Sequence, residues 1–226
     1  MLAAKGLGVR DSRVVVSGSG NVSIYASEKA QQMGANVVAC SDSGGYIYDA
    51  LGINLETVKR LKETEQLRIS DDVKIHPHAE YFEGCAGIWD LPCDIALPCA
   101  TQNELDEDAA RKLINNGVKA IGEGANMPST LQAIQLFLDN AVLFAPAKAA
   151  NAGGVAVSAL EMSQNSMRIA WTFEEVDEKL QSIMKNIYRS AVEAAEEYEV
   201  PGNLLAGANI AGFLRVADAM LAQGIV

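Results

Sequence analysis

Short apolar runs and longer amphipathic stretches alternate along the first two thirds of the chain. Val14-Val15-Val16 is unbroken and apolar, a polar turn follows at Ser17-Gly18-Ser19-Gly20-Asn21, and then Val22, Ala26, Ala30 and Met33 recur at helical spacing. A continuous apolar run of strand length predicts a strand buried on both faces, and the period of about 3.6 after it predicts a helix. That helix should end at Gly34, which is free to take a left-handed cap. The rhythm returns with strands at Asn36 to Cys40, Cys93 to Pro98, Val118 to Ile121 and Val142 to Ala145. Helices are predicted at Leu55 to Leu67, Glu107 to Asn115 and Thr130 to Leu138. Tyr46 to Asp49 alternates like a hairpin arm, whereas His76 to Leu91, broken by Pro77, Gly84 and Gly87, reads as irregular.

Repeated strand, turn and helix predict an α/β fold: a Rossmann-like, doubly wound, mostly parallel sheet with helices on both faces. From Pro146 the rhythm changes to long helices, one reaching about Trp171, one from Glu174 to Glu199 and one from Leu205 to Gln223. Val176, Leu180, Ile183, Met184 and Ile187 form a stripe on the second, which reads as core, and Ala211 and Gly212 on the third would permit close packing or a bend. No linker divides the chain, so residues 1–12 read as a lead-in and 13–226 as one dinucleotide-binding domain with a helical extension.

Composition narrows the function. At 49% hydrophobic and 21% charged the chain is an ordered globular protein, and a net charge of -11 removes the basic footprint that nucleic-acid binding needs. There is no uninterrupted apolar run of about 18 residues and no signal-like start, so no membrane association and a cytoplasmic location are expected. Cys40, Cys85, Cys93 and Cys99 form no close pair, and both histidines, His76 and His78, lie in one segment. No metal site is expected.

The glycine turn between strand and helix is where backbone amides can meet a pyrophosphate, which marks Gly18, Ser19, Gly20, Asn21 and Val22. The third small position of that fingerprint is Ser23. Asp42 lies 22 residues after Gly20, at the end of the second strand, where a carboxylate often accepts from both ribose hydroxyls of NAD. A 2′-phosphate there would meet like charge unless Lys59, Lys62 or Arg68 supplied cations. Thr101, Asn126 and Asn151 follow strand ends and suit a ribose, a phosphate or the nicotinamide carboxamide. No convincing acid or base emerges, so the catalytic set is empty and the chain reads as a dinucleotide binder.

Several motifs in order then carry a resemblance. Val16-Ser17-Gly18-Ser19-Gly20-Asn21-Val22, Ser41-Asp42-Ser43-Gly44-Gly45-Tyr46, Pro98-Cys99-Ala100-Thr101-Gln102-Asn103-Glu104, Glu123-Gly124-Ala125-Asn126-Met127-Pro128 and Ala149-Ala150-Asn151-Ala152-Gly153-Gly154-Val155 stand together. With Leu160-Glu161-Met162-Ser163-Gln164-Asn165 and Gly207-Ala208-Asn209-Ile210-Ala211-Gly212-Phe213, they resemble the cofactor-binding half of the hexameric glutamate dehydrogenases.

The resemblance implies reversible oxidative deamination of glutamate to 2-oxoglutarate and ammonia. In that family an amino-terminal domain, expected to be missing here, supplies the catalytic lysine and aspartate and most of a homo-hexamer. The isolated chain is then expected to be a monomer or weak oligomer that binds cofactor and is inactive. Gly18 to Val22 match the pyrophosphate positions, Asp42 the adenosine ribose, Thr101 and Asn126 the nicotinamide side, and Asn151 the carboxamide, with Ser43 also among the cofactor-binding positions. Val155 and Ser158 match positions lining the substrate pocket. Ser41-Asp42-Ser43, Lys62 and Arg68 resemble members that use NADP, which is favoured over NAD, although Glu65 stands where some carry an arginine. A leucine or phenylalanine dehydrogenase half, and a non-catalytic nucleotide-binding module, remain as alternatives.

Overall fold

In the computed structural model, residues 1–224 are described, so Ile225 and Val226, the last two of the expected domain, lie outside the described residues. The backbone clusters into two compact units, Met1–Phe144 and Ala145–Val226.

The first unit is built on a seven-stranded sheet of order β4-β3-β2-β1-β5-β6-β7. Its strands are β1 (Arg13–Val16), β2 (Asn36–Ser41), β3 (Gly45–Tyr48), β4 (Glu80–Glu83), β5 (Ile95–Leu97), β6 (Ala120–Gly122) and β7 (Leu143–Ala145). β1 pairs in parallel with β2 on one side and β5 on the other, and β5 pairs in parallel with β6. β3 and β4 turn back antiparallel along the β2 edge. From β1 the chain winds one way to β2 and later the other way from β5, so a crevice opens where the carboxyl ends of β1 and β5 diverge.

Helices α1 (Asn21–Gln32), α2 (Leu55–Lys59), α3 (Glu107–Asn115) and α4 (Leu131–Asp139) cover the sheet. Because parallel crossovers are right-handed, winding in opposite directions from β1 puts α1 on one face and α3 and α4 on the other. The core is apolar, with Val15, Val16, Val37, Ile47, Leu113, Ile121 and Phe137 fully buried. Asp106 and Thr130 cap α3 and α4 by accepting from the Ala109 and Ala133 amides. Met1, Leu2 and Val9 of the lead-in pack partly on this core, and Leu2–Lys5 forms a single 3-10 turn.

Two expectations are corrected here. The helix from Leu55 closes at Lys59 and widens into a π turn over Arg60–Thr64, where Glu65 donates to the Arg60 carbonyl five residues back. The irregular stretch from His76 to Leu91 contains strand β4 and a 3-10 turn, Cys85–Asp90, that buries Ile88 and Trp89. β4 escapes a periodicity reading because it is an outer strand with glutamates at both ends, held by backbone pairing and by Phe82 stacked on Tyr46 at 5.0 Å.

The second unit is helical: α5 (Ala147–Ala150), α6 (Ala152–Met167), α7 (Phe173–Glu197) and α8 (Leu204–Gln223). A capping box starts α7, Thr172 accepting from the Glu175 amide and Glu175 from the Thr172 amide. The close contact between α7 and α8 falls at Gly207, where a Cβ would run into the Ala191 carbonyl oxygen, while a Cβ at Gly212 would meet no neighbouring element among the described residues. The stripe from Val176 to Ile187 is half-buried rather than core. By length and mean hydropathy of 1.4, α8 is apolar enough to cross a membrane, with Arg215 and Asp218 in its second half.

Candidate functional site

The glycine turn sits at the carboxyl end of β1. Gly18 has φ +86°, and a Cβ there would lie 3.2 Å from Ala100 and from Ser23 Oγ, so both the backbone angle and the space call for glycine. Its amide donates to Ser41 Oγ at 2.8 Å, tying the turn to the end of β2. Gly20 is the extended N-cap of α1 (φ −91°, ψ −171°), has no side chain to cap the helix, and faces open space where its Cβ would be. The first-turn amides of α1 therefore meet no capping side chain, and the helix dipole adds positive potential at the same point. A pyrophosphate fits this cradle. Ser23 keeps the small-residue role: it is buried, and its hydroxyl donates back to the Gly20 carbonyl at 2.9 Å.

Beyond β2 the side chain of Asp42 is turned inward, only 6% exposed. Its oxygens accept from the Gly44 amide at 2.8 Å and the Ile69 amide at 3.3 Å, and the Arg68 guanidinium stands 3.7 Å away. Arg68 also donates to Ser43 Oγ at 2.6 Å, and both residues are exposed. An anion at this edge therefore finds a guanidinium and a hydroxyl, while the carboxylate charge is taken up by backbone amides. Lys62 donates to the Leu67 carbonyl at 3.2 Å, just before Arg68. Lys59 is engaged elsewhere, paired with Glu28 at 2.7 Å and lying over the Tyr25 ring. Glu65 pairs with Arg60 at 3.3 Å.

Thr101 and Asn126 are exposed on the turns after β5 and β6. These turns are joined: the Gly124 and Ala125 amides donate to the Pro98 carbonyl, and the Asn103 amide to the Met127 carbonyl, each at 3.0 Å. Cys99 is buried beneath them, its thiol pushed up to about 12 by burial and by the charge of Glu104, which leaves it unreactive. Glu104, Ser17 and Ser41 stand in the motifs that carry the resemblance, but none is given a site role of its own there, although all three anchor these turns. A polar residue at the end of a buried strand or just after it is the local signal that marks the serines, and Glu104 is marked only by its place in a quoted motif.

In the second unit, Asn151 ends α5 and starts α6, with Val155 and Ser158 four and seven residues on. This spacing puts the three on one face of α6. Val155 and Ser158 are exposed, and the Ser158 hydroxyl donates to the Gly154 carbonyl at 3.3 Å. Lys148 of α5 hydrogen-bonds Asn209 of α8.

Comparison with known proteins places this geometry. The model of the family described as glutamate/leucine/phenylalanine/valine dehydrogenase matches residues 1–224. The chain belongs to that family. Over its whole length, this family member is 53% identical to the NADP-specific glutamate dehydrogenase of Escherichia coli K12 and covers 51% of it. Among solved structures it is similar to Plasmodium falciparum glutamate dehydrogenase, with TM-score 0.95 and 46% identity over all of this chain and 49% of that one. It also resembles the hetero-hexameric glutamate dehydrogenase of Thermus thermophilus, with TM-score 0.86 and 25% identity over 99% of this chain and 50% of the other. The chain spans about half the length of the curated relatives it matches.

Proposed function

We propose that this chain is the coenzyme-binding part of an NADP-dependent glutamate dehydrogenase. The observation that carries the reading is the uncapped start of α1 over the glycine turn, an anion cradle that a Cβ at Gly20 would fill. The similarity to enzymes named NADP-specific glutamate dehydrogenases supports the choice of reaction and cofactor.

In this reading the amides from Ser19 to Val22 hold the pyrophosphate, and Ser43 and Arg68, with Lys62 beside them, take the 2′-phosphate. Asp42 braces that edge: its carboxylate accepts from Ile69 and Gly44, so it fixes the loop carrying Ser43 and the residue after Arg68. Thr101 and Asn126 address the nicotinamide half, and Asn151 its carboxamide. Val155 and Ser158 form part of the wall for the amino acid's side chain. Bound NADP⁺ would supply the hydride acceptor for the Cα–H bond of glutamate, giving an imine that water converts to 2-oxoglutarate and ammonia. The residues identified here bind and orient, and none is assigned proton transfer, so the chain by itself is expected to bind cofactor without turnover. A hexamer is proposed for the whole enzyme, in keeping with the hexameric relative.

Parallel calorimetric titration with NADP⁺ and NAD⁺ tests this. The chain should prefer NADP⁺, and Arg68→Ser should erase about tenfold or more of that preference, the size of one charge-assisted hydrogen bond. Preference for NAD⁺, or no binding of either at millimolar concentration, would overturn the reading.

A further inference from the structure

Three consecutive amides after β5 are collected by two side chains. The Cys99 amide donates to Ser17 Oγ at 2.8 Å, and the Ala100 and Thr101 amides both donate to one oxygen of Glu104, at 2.9 and 3.2 Å. The Ser17 side chain also lies near enough to Glu104 to favour its carboxylate form. None of the three amides is left for a ligand, although they lie where the sheet's crevice opens. Their bonds go instead to fixing the shape of the turn.

That turn is the one that meets the glycine turn and carries Thr101. Ala100 is the atom group a Cβ on Gly18 would strike, at 3.2 Å. The residues flanking Glu104 continue outward, the Asn103 and Leu105 amides donating to Met127 and Pro128 carbonyls at 3.0 and 2.9 Å, and Thr130 to the Leu105 carbonyl at 3.0 Å. Glu104 thus stands where the turns bearing Gly18, Thr101 and Asn126 converge. Half-buried, it is pulled two ways: burial favours its neutral form, while the Ser17 side chain and bonds from the Ala100 and Thr101 amides favour the carboxylate. A single oxygen that accepts from two successive amides, on a side chain long enough to reach back from three and four residues ahead, requires a carboxylate or its amide isostere.

We propose that Glu104 is a positioning residue for the nicotinamide half of the cofactor: through Ser17 and the Ala100 and Thr101 amides it sets Thr101 and Asn126 at a fixed height over the glycine turn. This rests on the dinucleotide reading above. It assigns Glu104 no contact with the cofactor, and it places the effect on one half of the ligand only.

The test compares NADPH with adenosine 2′,5′-bisphosphate, which carries the 2′-phosphate half and lacks the nicotinamide, on the 226-residue chain. Glu104→Ala should weaken NADPH by about tenfold or more and leave the bisphosphate within about twofold. Glu104→Gln, whose amide oxygen still accepts from Ala100 and Thr101 and whose NH₂ meets Ser17, should restore NADPH to within about threefold of the parent. Amide exchange gives an independent readout: Cys99, Ala100 and Thr101 should exchange slowly in the parent and the Gln variant and fast in the Ala variant. Should Glu104→Ala fail to fold, Glu104→Asp, one methylene too short to reach both amides, takes its place under the same criteria. Equal loss of both ligands without rescue by Gln, or unchanged NADPH binding, overturns the proposal. A parent that binds neither ligand overturns the dinucleotide reading beneath it.

Discussion

In the unit Met1–Phe144, side chains such as Val15, Leu113 and Phe137 are fully removed from solvent, and polar groups at the strand ends find partners in neighbouring turns. Among the described residues of the unit Ala145–Val226 the buried apolar side chains are Ala191, Ala194, Ala195 and Leu204, while Val155, Met162, Phe173, Phe213 and Leu221 are exposed. Both units have the apolar periodicity of a core. Sheet strands bury residues on both faces and are covered within the unit, whereas a helix layer commits one stripe to its neighbour and leaves the rest of its apolar surface bare. An apolar pattern therefore identifies a face that favours cover, without saying whether the chain supplies it.

The sharpest way to break this comparison is a matched pair of truncations. Phe137→Ala removes a side chain with 0% exposure, stacked on Phe144 at 6.1 Å, and should cost about 3–5 kcal/mol, whereas Phe213→Ala, 68% exposed, should stay within about 0.5 kcal/mol. Denaturant melts of both variants decide it, and equal costs would remove the distinction. Next in size, Gly207→Ala forces a methyl into the Ala191 carbonyl and should destabilise by about 1–3 kcal/mol, while Gly212→Ala, which meets no neighbouring element among the described residues, should not destabilise. Here the second unit is as tightly built as the first, but along one seam.

The smallest effect concerns charge inside the first unit. Asp72 is 1% exposed with no hydrogen bond to Oδ1 among the described residues, and burial raises its carboxyl above the ordinary range; His76, 4.0 Å from that oxygen, pulls it down and Asp49 adds to the rise. A raised folded-state value means the fold favours the proton, so the penalty is present above that value and disappears as the pH falls through it. Asp72→Asn should therefore stabilise at neutral pH, with the gain shrinking as the pH is lowered through the carboxylate range. Thermal melts at two pH values give the sign, and a gain that grows on acidification would contradict it.

What could be read from the sequence follows the same physics. α3 lies at Glu107–Asn115 as expected, because an Asp106 cap and the buried Ala109, Ala110 and Leu113 give local and tertiary signals that agree. The glycine turn was legible because Gly18 takes a positive φ that favours glycine and Gly20 leaves the start of α1 without a capping side chain, both local properties of the chain. β4 was not, since an outer strand depends on its pairing partner rather than on its own pattern. The sequence does not separate Gly207 from Gly212, since both are small residues on one helix, and only the helix's rotation against α7 decides which one meets Ala191. Glu104 bonds to amides three and four residues back, and what makes that turn matter, its meeting with Ser17 and the glycine turn 80 or more residues earlier, is created by the fold.

The most direct measurement of the central claim is a titration of the isotopically labelled chain with NADP⁺ followed through its backbone amide resonances. The account predicts saturable shifts at Ser19 to Val22, from the glycine turn into the start of α1, together with Ser43 and Arg68. Shifts confined to other surfaces, or none at millimolar NADP⁺, would contradict it.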